Sequence, residues 1–314
     1  MRVVFMGTPG FSVPILRALV ENGYEVAGVF TQPDKPKGRG GKVQMTPVKE
    51  YALSQQIPVF QPLKIRKDGL DDLKNLAPDL CVTAAFGQIL SQEVLDVPKI
   101  GTVNVHPSLL PKYRGPAPVN WSIIEGETRT GVTTMMTDAG MDTGDILLVR
   151  ETELSPDEDA AMLSERLSRV GAELLVETIR RIEAGTCPRT PQDSEAASYF
   201  PMLTKETGRI DWTRGAQAVV NLVRGVVPWP GAWTEFGDGA LKIWKASPAR
   251  GEGAPGEVLS GDAKGGLIVA CGEGAVRVEE LQAPGAKRMQ AEAYLRGKPI
   301  EKGVILGKGT EENG

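Results

Sequence analysis

The sequence contains one histidine, His106, within the stretch Asn104-Val-His-Pro-Ser-Leu-Leu-Pro111. Residues 101–106 have the composition of a short buried strand, which places His106 at its carboxyl end, where open α/β sheets bind their ligands. Because side chains alternate along a strand, Asn104 and His106 are expected on the same face. An amide donor and an imidazole would then serve one ligand. The alternative is a lone histidine that is hydrogen-bonded beside a proline-rich loop.

A second polar cluster, Asp138-Ala-Gly-Met-Asp-Thr-Gly-Asp145, has glycines that permit a tightly turned loop. If this loop brings Asp142 to Asn104 and His106, the three side chains suit acyl transfer to an amine. The imidazole would help to deprotonate the amine, the carboxylate would orient the imidazole or relay the proton, and the amide would stabilise the oxyanion. No Ser, Cys or Thr nucleophile is obviously placed, which favours direct transfer. The alternative is a turn with solvated acids that lack the spacing of an EF-hand.

The elements that must position these residues alternate along the first part of the chain. Short apolar strands and amphipathic helices follow one another up to residue 106, which predicts a mainly parallel α/β sheet covered on both faces. Gly7-Thr-Pro-Gly10 lacks a dinucleotide fingerprint. Further on, the pattern predicts a helix over 211–225. From Trp233 onward, short alternating segments separated by Gly and Asp predict a small β-barrel.

Length and composition set the wider class. A chain of 314 residues with 41% hydrophobic residues is expected to form two domains, and we place them at 1–188 and 205–314 with a linker at 189–204. The three cysteines are isolated, and no metal-ligand spacing is present, so no metal is expected. Without an apolar span or a signal sequence, a cytoplasmic location is predicted. The net charge of −4 gives no general preference for nucleic acid.

Asn104-x-His106, the run Ser108-Leu-Leu-Pro-Lys-Tyr-Arg-Gly115 and Asp142-Thr-Gly-Asp145 together resemble the signature of the folate-dependent formyltransferases. The resemblance covers essentially the whole chain. It implies a Rossmann-like domain followed by a small OB-like β-barrel domain, 10-formyltetrahydrofolate as formyl donor, and Asn104, His106 and Asp142 as catalytic residues. It also implies that two short segments contact the folate, namely Ser108, Leu109, Leu110 and Pro111, and Phe86, Gly87, Gln88, Ile89 and Leu90.

The acceptor needs separate evidence, and two features resemble the branch of the superfamily that formylates initiator methionyl-tRNA. The first is a Gly- and Pro-containing loop after the second strand, residues 31–49, with one acid, Asp34, and several cations. Such a loop suits a phosphate backbone, although basic residues alone are more often a solvated surface. The second is the C-terminal region, which resembles an OB-like tRNA-binding domain. The resemblance implies that Lys35, Lys37, Arg39 and Lys42 contact tRNA.

Two rival functions remain at this stage. The same chemistry could act on an amino sugar or a nucleotide amine, but that enzyme would not require the basic loop or the C-terminal barrel. The second rival function is that of a folate- or tRNA-binding protein without catalysis. The joint presence of the three candidate catalytic residues argues against it. We expect a monomer because no unassigned apolar face stands out.

Overall fold

The computed structural model describes residues 1–37 and 42–307, and the chain divides into two compact units. The first unit comprises Met1–Pro118, Arg129–Glu153 and Leu163–Pro201. The second comprises Val119–Thr128, Leu154–Met162 and the chain from Met202 onward. The domain bounds 1–188 and 205–314, with a linker at 189–204, stay a prediction.

The first unit is built on strands that follow the predicted alternation closely. Its helices are α1 (Ser12–Glu21), α2 (Pro47–Ser54), α3 (Ile65–Asp68), α4 (Leu70–Leu76), α5 (Gln92–Leu95) and most of α7 (Ala160–Glu183), while α6 (Pro118–Ile124) lies mainly in the second unit. Its strands are β1 (Arg2–Gly7), β2 (Glu25–Phe30), β3 (Lys35–Lys37), β4 (Lys42–Gln44), β5 (Val59–Phe60), β6 (Leu80–Ala84), β7 (Gly101–His106), β8 (Arg129–Met136) and β9 (Ile146–Glu153).

Seven of these strands form one sheet in the order β5-β2-β1-β6-β7-β8-β9. The pairs from β5 to β7 are parallel, and β8 and β9 continue the sheet antiparallel. The interior strand β1 has four fully buried apolar residues at 3–6, as expected where both faces of a sheet are covered. The prediction of a Rossmann-like, mainly parallel sheet is confirmed.

The strand order changes direction between β1 and β6, because the chain first adds β2 and β5 on one side and then β6 and β7 on the other. Ligands of open α/β sheets bind outside the carboxyl ends of the strands at such a point. His106 ends β7, the strand next to β6, so the fold places it at this edge.

The second unit contains an antiparallel sheet in the order β10-β11-β14-β13-β12, with β15 paired to β14. Its elements are α8 (Ala216–Gly225), β10 (Ala232–Phe236), β11 (Gly239–Ala249), β12 (Val258–Asp262), β13 (Gly266–Ala270), β14 (Ala275–Gln282), β15 (Met289–Gln290) and α9 (Ala291–Gly297). Trp212 is 4% exposed and its Nε1–H donates to Thr234 Oγ1 at 3.0 Å, so this tryptophan belongs to the core. The expected small β domain is present.

Two local expectations were wrong for identifiable reasons. The helix predicted over 211–225 begins at Ala216, because the Asp211 carboxylate accepts from the Thr213 backbone N–H and hydroxyl. Such a local turn competes with helix formation. The insert at 31–49 was expected as a loop, yet β3 and β4 pair antiparallel within it. Among the described residues, no helix is both long enough and apolar enough to cross a membrane.

A close approach of α7 to the sheet supports β7. A Cβ placed on Gly171 would lie 2.8 Å from Val105 Cγ1 and 3.5 Å from Val132 Cγ1. Contacts below about 3 Å force neighbours to shift, and valine side chains on strands have little freedom to do so. A glycine at this position therefore lets the helix lie directly over β7 and β8.

We predict that Gly171→Val lowers the free energy of unfolding by about 1–3 kcal/mol through overpacking against β7. Helix propensity alone would slightly raise the free energy of unfolding, because valine forms helices better than glycine does. The sign of the measured change therefore separates overpacking from helix propensity. Gly297→Val is the matched control, because a Cβ there meets no atom within 4 Å. Urea unfolding of both variants measures the difference, and a Gly171→Val protein as stable as the control would contradict the packing argument.

Candidate active site

His106 is 5% exposed and its ring is held by a backbone carbonyl. Its Nε2 lies 3.0 Å from the carbonyl oxygen of Tyr113. A carbonyl can only accept, so Nε2 carries the proton of this hydrogen bond. In the neutral ring Nδ1 is then unprotonated, and it lies 3.7 Å from Asp142 Oδ1. The imidazole thus presents its basic nitrogen on the side of the carboxylate.

Asp142 lies in the loop between β8 and β9 with a left-handed backbone, φ 54°. Its Oδ2 accepts from the Gly115 backbone N–H at 2.8 Å, while Oδ1 faces His106. The loop is tightly turned, since a Cβ on Gly144 would stand 1.8 Å from the Met136 carbonyl oxygen. The two glycines of this segment therefore have the structural role expected of them. The carboxylate keeps one oxygen for the protein and directs the other to the imidazole.

Asn104 precedes His106 by two residues on β7. Its Oδ1 accepts from the hydroxyl of Thr83, its partner across the β6–β7 pair, at 3.0 Å. That hydrogen bond orients the amide so that its N–H groups are directed away from Thr83 and can donate to a ligand. Thr83 was not among the predicted site residues, and nothing in its own sequence context distinguishes it.

The loop after β7 is shaped by Thr133 on β8. The Thr133 hydroxyl donates to the Ser108 carbonyl at 2.7 Å and accepts from the Leu110 N–H at 3.2 Å. Ser108 is fully buried, and its own hydroxyl donates to the Lys112 carbonyl at 2.8 Å. The Ser108 side chain therefore builds the loop. Its predicted folate contact, like those of Leu109, Leu110 and Pro111, stays a prediction.

The segment after β6 alternates between core and surface. Phe86 and Leu90 pack in the core, and the Gln88 amide braces another loop by accepting from the Ile65 N–H at 2.7 Å and donating to the Pro62 carbonyl at 3.0 Å. Gly87 is exposed and Ile89 is 78% exposed. Of the five residues predicted to wall the folate pocket, Gly87 and Ile89 thus offer the free surface.

The base of the β3–β4 hairpin is closed by a charged pair. Lys49 Nζ lies 2.6 Å from Asp34 Oδ2 and donates to Gln61 Oε1 at 2.7 Å. Gln61 Nε2 donates to Asp34 Oδ1 at 2.7 Å. The hydrogen bonds from Lys49 and Gln61 hold the pKa of Asp34 below its ordinary value of 3.8. Lys49, counted in the sequence as a loop cation, is therefore neutralised at the base.

The four predicted tRNA contacts differ in what the structure describes. Lys35 is exposed on β3, and Lys37 and Lys42 stand opposite each other in the β3–β4 pairing. Arg39 lies outside the described residues. In the second unit, Lys245 is paired with Glu279 at 3.0 Å and Arg288 with Glu280 at 2.5 Å, so each of these two cations has an acidic partner.

The cysteines do not provide a nucleophile for this site. Burial raises the pKa of Cys81 to about 12 and that of Cys271 to about 11. Desolvation also raises the pKa of Cys187. Because the thiolate is the reactive form, the three thiols favour chemistry without a covalent enzyme intermediate. Within residues 1–37 and 42–307, no group of three His, Cys, Asp or Glu side chains is arranged to hold a metal ion.

Comparison with known proteins gives one consistent family. The protein-family model described as "Formyl transferase" matches residues 1–179, and the family model described as "Formyl transferase, C-terminal domain" matches residues 202–299. The methionyl-tRNA formyltransferase of Citrifermentans bemidjiense is 51% identical over 309 residues, covering 98% of this chain and 97% of that protein. That of Acetivibrio thermocellus is 52% identical over 312 residues, covering 98% and 100%.

Solved structures agree on the fold at lower identity. HypX from Aquifex aeolicus in complex with tetrahydrofolic acid aligns with a TM-score of 0.64 and 21% identity, over 98% of this chain and 51% of that one. The N-formyltransferase from Helicobacter canadensis in complex with folinic acid and dTDP-3-aminofucose aligns with a TM-score of 0.66 and 20% identity, over 88% and 98%.

The ion pair at the hairpin base predicts a local effect on proteolysis. Asp34→Asn should speed tryptic cleavage within residues 35–42 about fivefold, because the substitution removes an interaction worth ~1 kcal/mol that keeps the base of the hairpin closed. The depressed pKa keeps Asp34 charged throughout neutral pH, so its stabilisation is lost only as the pH falls below 3.8. The ratio of variant to wild-type rate should therefore be the same at about pH 6 and about pH 8.5. Asp238→Asn, in the exposed β10–β11 turn, is the control. Equal rates for Asp34→Asn and the control would contradict the assignment.

Proposed function

The chain belongs to the formyl transferase family, and we propose that it transfers a formyl group from 10-formyltetrahydrofolate to the amino group of methionyl-tRNA. The observation that carries this proposal is His106 Nδ1 facing Asp142 at 3.7 Å at the carboxyl edge of the sheet. The chain that contains this pair is about half identical, over 98% of its length, to known methionyl-tRNA formyltransferases. Those full-length relatives do not favour an amino sugar or nucleotide as acceptor.

Three residues at the edge of the sheet, Gly87, Ile89 and Asn104, support the proposed binding of a flat heterocyclic donor. Gly87, with φ 78°, leaves open space in which an added Cβ would meet only Gln32 Nε2 at 3.4 Å. The exposed Ile89 provides apolar surface beside it, and Asn104 supplies N–H donors. The donor supplies an activated formyl group, and we assign its binding to the segments 86–90 and 108–111.

Three side chains divide the chemistry. His106 accepts a proton from the attacking amine at Nδ1, the nitrogen that its bond to Tyr113 leaves unprotonated. Asp142 stabilises the imidazolium that results, and the same proton is then available for the leaving nitrogen. Asn104 donates to the formyl oxygen as negative charge develops there, an effect typically worth ~3 kcal/mol. In this scheme Asp142 orients and stabilises His106, and it is not itself the base.

For the acceptor, we propose that Lys35, Lys37, Arg39 and Lys42 contact the tRNA phosphate backbone. The pairing of Lys49 with Asp34 supports this assignment, since it occupies both Lys49 and the one acid of the segment 31–49. We further propose a cytoplasmic monomer that acts on initiator tRNA, without a metal. Its catalytic part would span 1–188 and its tRNA-binding part 205–314.

Single-turnover formylation of methionyl-tRNA tests the catalytic assignment. His106→Ala should lower the rate by about 10²–10⁴-fold through loss of the base. Asn104→Ala should lower it by about 10²–10³-fold through loss of an oxyanion donor. Binding of 10-formyltetrahydrofolate, followed by fluorescence, should persist in the His106 variant. Full turnover by His106→Ala would instead indicate a binding protein, and wild-type protein that binds folate without formylating methionyl-tRNA would move the search to small amines.

Salt dependence tests the tRNA contacts. Arg39→Ala should raise KM for methionyl-tRNA and leave the single-turnover rate at saturation nearly unchanged. The slope of log kcat/KM against log salt should become less steep by about 0.7–0.9, the value for one lost phosphate contact. Lys74→Ala removes the same charge from an exposed site before β6, at the opposite edge of the sheet, and should change neither quantity. An unchanged slope for Arg39→Ala would remove this residue from the interface.

A further inference from the structure

A short loop holds both members of the His–Asp pair through its backbone. The Tyr113 carbonyl accepts from His106 Nε2, and the Gly115 N–H donates to Asp142 Oδ2. Two backbone groups only two residues apart therefore determine the distance between the imidazole and the carboxylate. Any movement of residues 113–115 changes both partners together.

That loop is tied to a segment that follows α7, which we call the strap, residues 190–200. The Tyr113 N–H donates to Ser198 Oγ at 2.9 Å, and the Arg114 N–H donates to the Ser198 carbonyl at 2.9 Å. The Phe200 N–H donates in turn to the Arg114 carbonyl at 3.1 Å. The rings of Tyr113 and Phe200 stack with centroids 5.0 Å apart. The whole strap lies within residues 189–204, which the sequence assigned to a linker.

One strap residue, Gln192, connects this loop to the loop that carries Asp142. Its Oε1 accepts from Arg114 Nε at 3.1 Å and Nη2 at 2.7 Å. Its Nε2 donates to the backbone carbonyls of Asp142 and Gly144, each at 2.8 Å. Arg114 is 2% exposed, and its Nη1 donates to the Tyr199 hydroxyl at 2.6 Å. The buried guanidinium and the amide thus form one rigid connection.

We propose that Gln192 is a positioning residue for catalysis: it sets the Asp142 carboxylate against His106, and Arg114 fixes Gln192 in turn. The inference rests on the proposed function for the role of Asp142. The left-handed backbone of Asp142 has to be held by its surroundings, and the Gln192 hydrogen bond ends on the carbonyl of that same residue.

The amide of glutamine suits this task because it has an acceptor end and a donor end. Glutamate has the same shape and keeps the acceptor for Arg114, but it loses both N–H donors. A carboxylate oxygen would then face the carbonyl oxygens of Asp142 and Gly144. Gln192→Glu therefore separates the two halves of the connection. Gln192→Met removes both halves at similar volume and serves as the second variant.

The first experiment measures single-turnover formylation of methionyl-tRNA. Gln192→Glu should lower the rate about 10–100-fold, since displacement by about 1 Å can cost this much, with KM for methionyl-tRNA within about twofold of wild type. Added to Asp142→Asn, it should cause little further loss, because both changes act on one group. Glu195→Gln, an exposed strap position, is the control. Full additivity of the two losses, or a wild-type rate for Gln192→Glu, would overturn the inference.

The second experiment requires no turnover. Amide hydrogen exchange, followed by NMR, reports the Gly115 N–H that donates to Asp142. Gln192→Glu and Gln192→Met should speed this exchange at least about tenfold, while the Phe5 amide in the buried strand β1 keeps its protection and shows that the fold is intact. Unchanged Gly115 protection in both variants overturns the role of Gln192. A wild-type protein that does not formylate methionyl-tRNA overturns the proposed function instead, and the exchange result still decides the inference.

Discussion

The hydrogen bond between His106 Nε2 and the Tyr113 carbonyl determines what the site can do. Because the carbonyl has no proton to give, it settles which ring nitrogen is protonated and leaves Nδ1 as the basic atom. The carboxyl end of β7 sets the position of the ring, and the bond sets its rotation. Asp142 then has a defined nitrogen to face at 3.7 Å.

This arrangement imposes a cost that the surrounding structure has to offset. A non-glycine residue with a left-handed backbone costs about 1–3 kcal/mol, and Asp142 adopts one at φ 54°. A buried guanidinium is also unfavourable unless its donors are satisfied. Each of the three nitrogens of Arg114 donates a hydrogen bond, to Gln192 or to Tyr199. Gln192 accepts hydrogen bonds from the guanidinium and donates to the Asp142 loop, so the same side chain pairs the buried cation and stabilises the left-handed backbone.

Much of the site could be predicted because its chemistry is concentrated in rare or spaced residues. A lone histidine at the end of an apolar strand, an asparagine two residues before it and a glycine-flanked aspartate are visible in the sequence, and the structure brings His106 and Asp142 together. The supporting contacts were not predictable. The Tyr113 carbonyl and the Gly115 N–H are backbone groups that every residue carries, and Gln192 lies 50 positions from Asp142 in the chain. The pairing of Lys49 with Asp34 was not predictable for a related reason, since it depends on tertiary folding.

The proposed catalytic geometry contains nothing specific to one acceptor, because a base, an oxyanion donor and a carboxylate would serve any amine. Selection of the acceptor must therefore come from other parts of the chain, and these parts need a fixed position relative to the donor pocket. Gln32, which lies just before the hairpin, provides such a connection. Its Nε2 donates to the carbonyls of Phe86 and Gly87, at 3.3 and 3.0 Å, and its own carbonyl accepts from Gln61 at 2.9 Å. The segment proposed to wall the donor pocket and the segment proposed to contact tRNA thus share one anchor, and an acceptor bound along the hairpin would be placed relative to the formyl donor through it.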